Sequence, residues 1–267
     1  MVYNTNMKYV RKKRFYTRII IWLVAGLIFI TPFAFYASRL IQIEEEKAAA
    51  PTGLEYVANK STDPSVSGNP VAEPTVSQPL PDKVFIQVPF TTQAPLVNWD
   101  ALHEEACEEA SLIMYKHFLD GSVIASPQSA DNEIQSMVAW ENQNGYGLDL
   151  TVEQTNQMAK DYLGLNNGRV ETNISLDNIK AELASGRPVL VPAAGKVLAN
   201  PNFTDGGPNY HNLLIVGYDK DGFITNDPGT RKGEGFRYTF DNLFTAIHNW
   251  DATNILNGPK AYLVFDK

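Results

Sequence analysis

Hydrophobic and polar residues fall into three successive regimes along the chain. Residues 19–38, IIIWLVAGLIFITPFAFYAS, form an uncharged run with no polar face. Twenty residues is about what a helix needs to cross the hydrocarbon core of a bilayer, so the pattern predicts a transmembrane helix over 19–41. Pro32 is compatible with that setting, where a kink can be re-satisfied locally, and Trp22 and Tyr36 stand near the two ends, where amphipathic rings favour the headgroup region. Residues 42–82 show no hydrophobic period. They contain Pro51, Pro64, Pro70, Pro74, Pro79 and Pro81 among many Ser, Thr and Asn, which predicts a disordered linker stiffened toward extended polyproline geometry.

From residue 83 to 267 the pattern becomes that of a packed domain. VFIQVPF, Val84 to Phe90, alternates like a strand ending at Pro89. Apolar positions at helical spacing run from Glu105 to Leu119 and stop at Asp120-Gly121. Two further amphipathic helices are expected over Pro127 to Asn144 and Val152 to Tyr162, the second capped by Thr151. A fourth, over Asp177 to Ala184, is closed by Gly186. The second half reads as strands: Val189 to Pro192, then LLIVGY (Leu213 to Tyr218) joined through the turn Asp219 to Gly222 to FITND (Phe223 to Asp227) as a hairpin. Arg237 to Thr239, a helix over Phe240 to Asn249 and a strand near Ala261 to Phe265 complete it. Helices first and antiparallel strands second predict an α+β domain, with N-terminal helices packed on an antiparallel sheet.

Charge sharpens this division. The net charge of the 267 residues is −8, but residues 1–43 hold seven Lys/Arg (Lys8, Arg11, Lys12, Lys13, Arg14, Arg18, Arg39) and no acid. All 30 acidic residues and the other 15 basic ones follow, so the remainder carries −15. Six positive charges before the apolar run, against Glu44, Glu45 and Glu46 after it, predict a single-pass protein of the cell membrane. Its basic segment 1–18 is then cytoplasmic and its domain 83–267 extracellular. A cleavable secretory signal ending at Ala48-Ala49-Ala50 is the alternative; in both readings the domain works outside the cytoplasm. The acidic outer part disfavours nucleic acid as a partner, since such binding rests on basic surface.

A single cysteine excludes an internal disulfide framework and any zinc site built on several thiolates. Cys107 falls in the first turn of an expected helix, where free N–H groups and the macrodipole favour a thiolate; the position alone suits a nucleophile or a small buried hydrophobe equally. His211 opens the strand running to Tyr218, and Asp227 closes its antiparallel neighbour, so the two lie at the same end of one hairpin. There a carboxylate can fix the tautomer and orientation of an imidazole, leaving the ring free to pair with a thiol. Taken singly, each is more often only a strand-entry or turn residue. Glu104, Glu105, Glu108 and Glu109 surround Cys107 in sequence, and carboxylates near a thiolate oppose its ionisation unless they face solvent or cap N–H groups. His103, Glu104, Glu105 and Cys107, like Asp219 and Asp221, include metal-ligand residue types but have no recognisable zinc or calcium spacing. No cofactor is expected. His117 and His248 are expected to be structural or surface residues, and Trp99 and Trp140 core or rim aromatics.

Taken together, VPFTTQAP…NW…EACEEAS followed by NYHNLLIVGYDKDGFITNDPGT resembles the bacterial C39-like peptidase family, papain-like cysteine peptidases related to the peptidase domains of bacteriocin exporters. The resemblance covers residues 84–267. It implies Cys107 as nucleophile, His211 as general base and acid, Asp227 as its orienting partner, and Gln93 as a side chain that completes an oxyanion hole with the Cys107 N–H. The exporter peptidases typically place Gly after the cysteine where this chain has Glu108, so the resemblance does not by itself imply their double-glycine leader specificity. A peptide or protein substrate is implied, a cell-wall peptide included. Hydrolysis or transpeptidation by the same thioester chemistry, and a peptide-binding module without turnover, are the remaining readings.

Overall fold

The computed structural model of the chain describes residues 79–172 and 174–266. The expected transmembrane helix and most of the expected linker lie outside the described residues; among these, no helix is long and apolar enough to cross a membrane. Leu80 packs against the core and Tyr218 Oη donates to the Pro81 carbonyl at 2.8 Å, so contacts with the domain begin before Lys83.

The strand β1 (Val84–Phe85) is followed by the helices α1 (Cys107–Asp120), α2 (Pro127–Asn144) and α3 (Val152–Leu163). After these come β2 (Gly168–Thr172), α4 (Leu176–Ala184), β3 (Val189–Ala194), α5 (Gly195–Leu198), β4 (Tyr210–Asp219), β5 (Gly222–Asn226), β6 (Phe236–Tyr238), α6 (Phe240–Ala246) and β7 (Ala261–Phe265). Among the described residues seven strands form one antiparallel sheet in the order β2-β7-β3-β4-β5-β6, with β1 added to β4. The α+β architecture therefore agrees with the expectation.

Local signals account for most helix ends. Ser126 accepts the Ser129 N–H ahead of Pro127, and Thr151–Gln154 and Ser175–Asn178 form reciprocal capping boxes for α3 and α4. Gly121, Gly145 and Gly164 close α1, α2 and α3 in the left-handed conformation that glycine adopts without strain. The fourth helix starts one residue before the expected Asp177 because Ser175 is its cap.

Helix α1 differs from the others in being buried continuously from Cys107 to Tyr115. It packs between β4 on one side and α2 and α3 on the other. Tyr115 anchors it from below: its hydroxyl donates to the Pro188 carbonyl at 2.7 Å and accepts the Phe265 N–H at 3.1 Å. A helix buried on all sides is held rigidly, which fixes the position of its first residue.

Several expected boundaries move. The alternating run from Val84 pairs for only two residues, because beyond Phe85 it leaves the sheet: Ile86 N–H still reaches the Val216 carbonyl at 2.7 Å, and the Val88 carbonyl accepts the Asn226 side-chain amide instead of a strand partner. Gly217 permits the approach of β1, since a Cβ there would stand 2.3 Å from the Val84 carbonyl oxygen. The strand expected from Leu213 begins at Tyr210, paired with Ala194. The helix expected to reach Asn249 ends at Ala246, after which Ile247 bridges to Ala193 and His248 N–H donates to the Pro192 carbonyl.

Candidate active site

Three segments converge beside the N-terminus of α1. Strand β4 contributes His211, the turn after β5 contributes Asp227, and the loop before α1 contributes Gln93, whose backbone N–H donates to the Pro228 carbonyl at 3.0 Å. Gln93 and His211 line one cleft of about 780 Å³, together with Trp99, Glu104, Glu105, residues of the 201–208 loop and Gly229 to Lys232.

His211 and Asp227 meet. The imidazole Nε2 lies 2.7 Å from Asp227 Oδ1, with both side chains buried. Asp227 is itself held at four points: the Tyr238 hydroxyl donates to Oδ2 at 2.6 Å, Asn200 Nδ2 donates to Oδ2 at 3.2 Å, and the Gly229 N–H donates to Oδ1 at 3.0 Å, in addition to the His211 contact. Burial alone would push this carboxyl up. The His211 ring and the Tyr238 and Gly229 donors outweigh that and hold it below the usual carboxylate range. The Phe203 ring stands edge-on to the imidazole with centroids 5.3 Å apart. Gly229 closes the other side: a Cβ there would lie 2.8 Å from His211 Cε1 and 2.9 Å from Phe203 Cε1, so only glycine lets the turn pack on the ring. Nε2 is thereby committed to Asp227, and Nδ1 makes no hydrogen bond to another described residue.

Cys107 is the first residue of α1, preceded by Ala106, which provides no side-chain cap. The thiol is buried, at 5% exposure, and is not among the residues that line the cleft. It donates to Glu108 Oε2 at 2.8 Å and makes no hydrogen bond to His211. Burial, the Glu108 carboxylate and the more distant Glu109 push the thiol well above its ordinary range, against which the Asn212 backbone N–H acts weakly. Gln93 Nε2 donates to the His103 and Glu104 carbonyls at 2.8 and 2.9 Å, so in this conformation its amide pins the loop leading into α1 while Oε1 is buried with no partner among the described residues.

The acidic run around the cysteine divides by exposure. Glu104 and Glu105 face solvent at the cleft, whereas Glu108 and Glu109, which helical geometry allowed to point outward, are both buried. Glu108 Oε1 accepts the Leu150 N–H at 3.1 Å, and burial raises its carboxyl to about 8 despite that bond and the one from the thiol. Glu109 is raised well above the carboxylate range, first by burial and then by Glu141 beside it.

The possible ligand residues do not converge on a common point. His103 sits between Asp100 Oδ1, 2.7 Å from Nδ1, and Asp131 Oδ1, 2.9 Å from Nε2, and so braces the loop against α2. Asp219 accepts the Asp221 N–H within the hairpin turn and pairs with Arg237 on β6. His117, for which the sequence offers no obvious partner, lies 3.1 Å from Glu133 on α2. Asn200, Phe203, Tyr238 and Gly229 escaped the sequence reading. The first three carry no motif, while Gly229 carried a usable signal, as a glycine two residues past a candidate aspartate.

The model of the Peptidase_C39 like family matches residues 85–255, which contain all of these groups. The chain belongs to this family. Membership in the C39-like family suggests a papain-like cysteine peptidase. A C39-like protein of known structure, assigned as a peptidase of this kind from Bacillus anthracis, is 17% identical, with a TM-score of 0.45 over 70% of this chain and 98% of its own. No curated protein matches the chain significantly.

Proposed function

We propose that this C39-like protein is a membrane-tethered, extracytoplasmic thiol hydrolase that cleaves peptide or amide bonds through Cys107, His211, Asp227 and Gln93. The observation that carries the reading is the buried 2.7 Å contact between His211 and Asp227 at the wall of a cleft, with Nδ1 hydrogen-bonded to no other described residue. The uncharged run at 19–38 and the basic residues before it support the tether and its orientation.

In this reaction the Cys107 proton passes to His211 Nδ1 as the sulfur attacks the substrate carbonyl. The new C–S bond forms while the carbonyl electrons move onto oxygen. The Cys107 N–H at the start of α1 and a Gln93 N–H released from the loop carbonyls stabilise that oxyanion. Collapse breaks the C–N bond, and the imidazolium returns its proton to the departing amine. Water, deprotonated by the same ring, then hydrolyses the thioester and restores the thiol. Asp227 keeps the ring in one orientation throughout.

Cleavage of a peptide library that includes cell-wall stem peptides, by the detergent-solubilised full chain and by Cys107→Ser, tests this. Products with the wild type alone are expected; none with either would leave a peptide-binding module. Gln93→Ala is expected to lower kcat/KM by about 10²-fold to 10³-fold, the usual effect of losing one oxyanion donor. Single-turnover kinetics on the best library peptide would measure it.

A further inference from the structure

A buried carboxylate directly beside the nucleophile runs against the chemistry just proposed, and its geometry is specific. Glu108 is 2% exposed and forms no ion pair with a described Lys, Arg or His. Burying an unpaired carboxylate is costly, and a glutamine could accept the Leu150 N–H equally well. A carboxylate, however, can accept two hydrogen bonds on two oxygens, and Glu108 does so: Oε1 from Leu150 at 3.1 Å and Oε2 from the Cys107 thiol at 2.8 Å.

The thiol must keep its proton to make this bond. Above about pH 8, where Glu108 is itself ionised, losing that proton would set two negative charges side by side in a buried site. The other titratable groups around the pair are Glu109 on α1, Asp149 before α3 and Tyr210 on β4, and they add negative charge or none. The arrangement is also tied to the strand that bears the histidine. Leu150, which holds Glu108 through its N–H, accepts the Tyr210 hydroxyl at 2.6 Å through its carbonyl, and Tyr210 directly precedes His211.

We propose that Glu108 is a positioning residue that parks Cys107 as a neutral thiol away from the cleft, so that attack requires the sulfur to leave Glu108 for His211. On release the S–H···Oε2 bond breaks and an S–H···Nδ1 bond forms. The proton then passes from sulfur to Nδ1, and Glu108 retains its bond to Leu150. A tethered hydrolase of this kind stays unreactive toward electrophiles until its cleft is filled.

The inference rests on Cys107 being the nucleophile, but its test reads ionisation rather than turnover, so either can fail without the other. Because Cys107 is the sole cysteine, the pH dependence of its alkylation by iodoacetamide in the full chain in detergent micelles, read at Cys107 by mass spectrometry, follows the ionisation of this residue. Wild type is expected to ionise above the ordinary thiol value of about 8.5. In Glu108→Gln the midpoint is expected to fall enough to give about tenfold more thiolate near pH 9, where Glu108 of the wild type is ionised, with a matching rise in the alkylation rate by iodoacetamide. An unchanged or higher midpoint in Glu108→Gln would overturn the proposal. So would a wild-type midpoint at or below the ordinary value, which requires no variant to fold.

Discussion

Replacing His211 with alanine is expected to reduce peptide cleavage to the level of Cys107→Ala, a loss of about 10⁴-fold to 10⁶-fold. The size follows from the state of the thiol. Cys107 is buried beside a carboxylate and lies well above the ordinary thiol range, so little thiolate exists at neutral pH without a base. Of the two ring nitrogens of His211, Nε2 is taken by Asp227, which leaves Nδ1 as the acceptor. The same ring protonates the leaving amine, so its removal blocks both halves of the reaction, and the double variant should be no worse than either single one. Steady-state turnover of the two single variants and the double variant, each checked for native circular dichroism, measures this. A His211→Ala protein with substantial activity would remove the base assignment.

The second large effect is expected at Asp227. Substitution by alanine should lower kcat by about 10³-fold to 10⁴-fold, because the ring loses its anchor while Tyr238 and Asn200 lose a shared acceptor. Asparagine, which keeps the shape and one acceptor oxygen, should lose less. Asp227 also leaves a signature in stability. Its folded carboxyl lies below the unfolded value, so its contribution is present above about pH 4 and is lost as pH falls through the folded value. Glu108 and Glu109 act with the opposite sign. Their folded values are raised, so the stability linked to their neutral forms is present below the unfolded carboxyl range and is lost as pH rises, for Glu108 through about 8. Urea unfolding across pH should therefore show a maximum on the acid side of neutrality, and Asp227→Ala should flatten only the low-pH limb. A low-pH limb unchanged in that variant would contradict the balance of forces described for Asp227.

How much of this could be read beforehand depended on distance along the chain. Helix α2 was expected with the bounds it has, because Ser126-Pro127 and Gly145 define its ends locally. The approach of His211 to Asp227 was also legible. Both flank the hairpin turned at Asp219 to Gly222, and the pairing Leu214 with Asn226 sets the two side chains at one end. The strand β2 was missed, since Gly168–Thr172 has no buried face and exists only because β7 pairs with it. Gln93 was matched as an oxyanion donor, yet its amide protons serve the loop carbonyls of His103 and Glu104, an arrangement set by how the loop folds back before α1.

The sequence by itself therefore determined the α+β class, most helix ends, the hairpin that joins His211 to Asp227 and the uniqueness of Cys107. These rest on caps, periodicity and short-range register. Only the tertiary structure decided where the thiol points and which acids are buried. Helical geometry alone left Glu108 and Glu109 free to face solvent; their burial against Leu150 and Glu141 comes from segments tens of residues away. Desolvation and long-range hydrogen bonds, which set the ionisation of a nucleophile, exist only once the chain has packed.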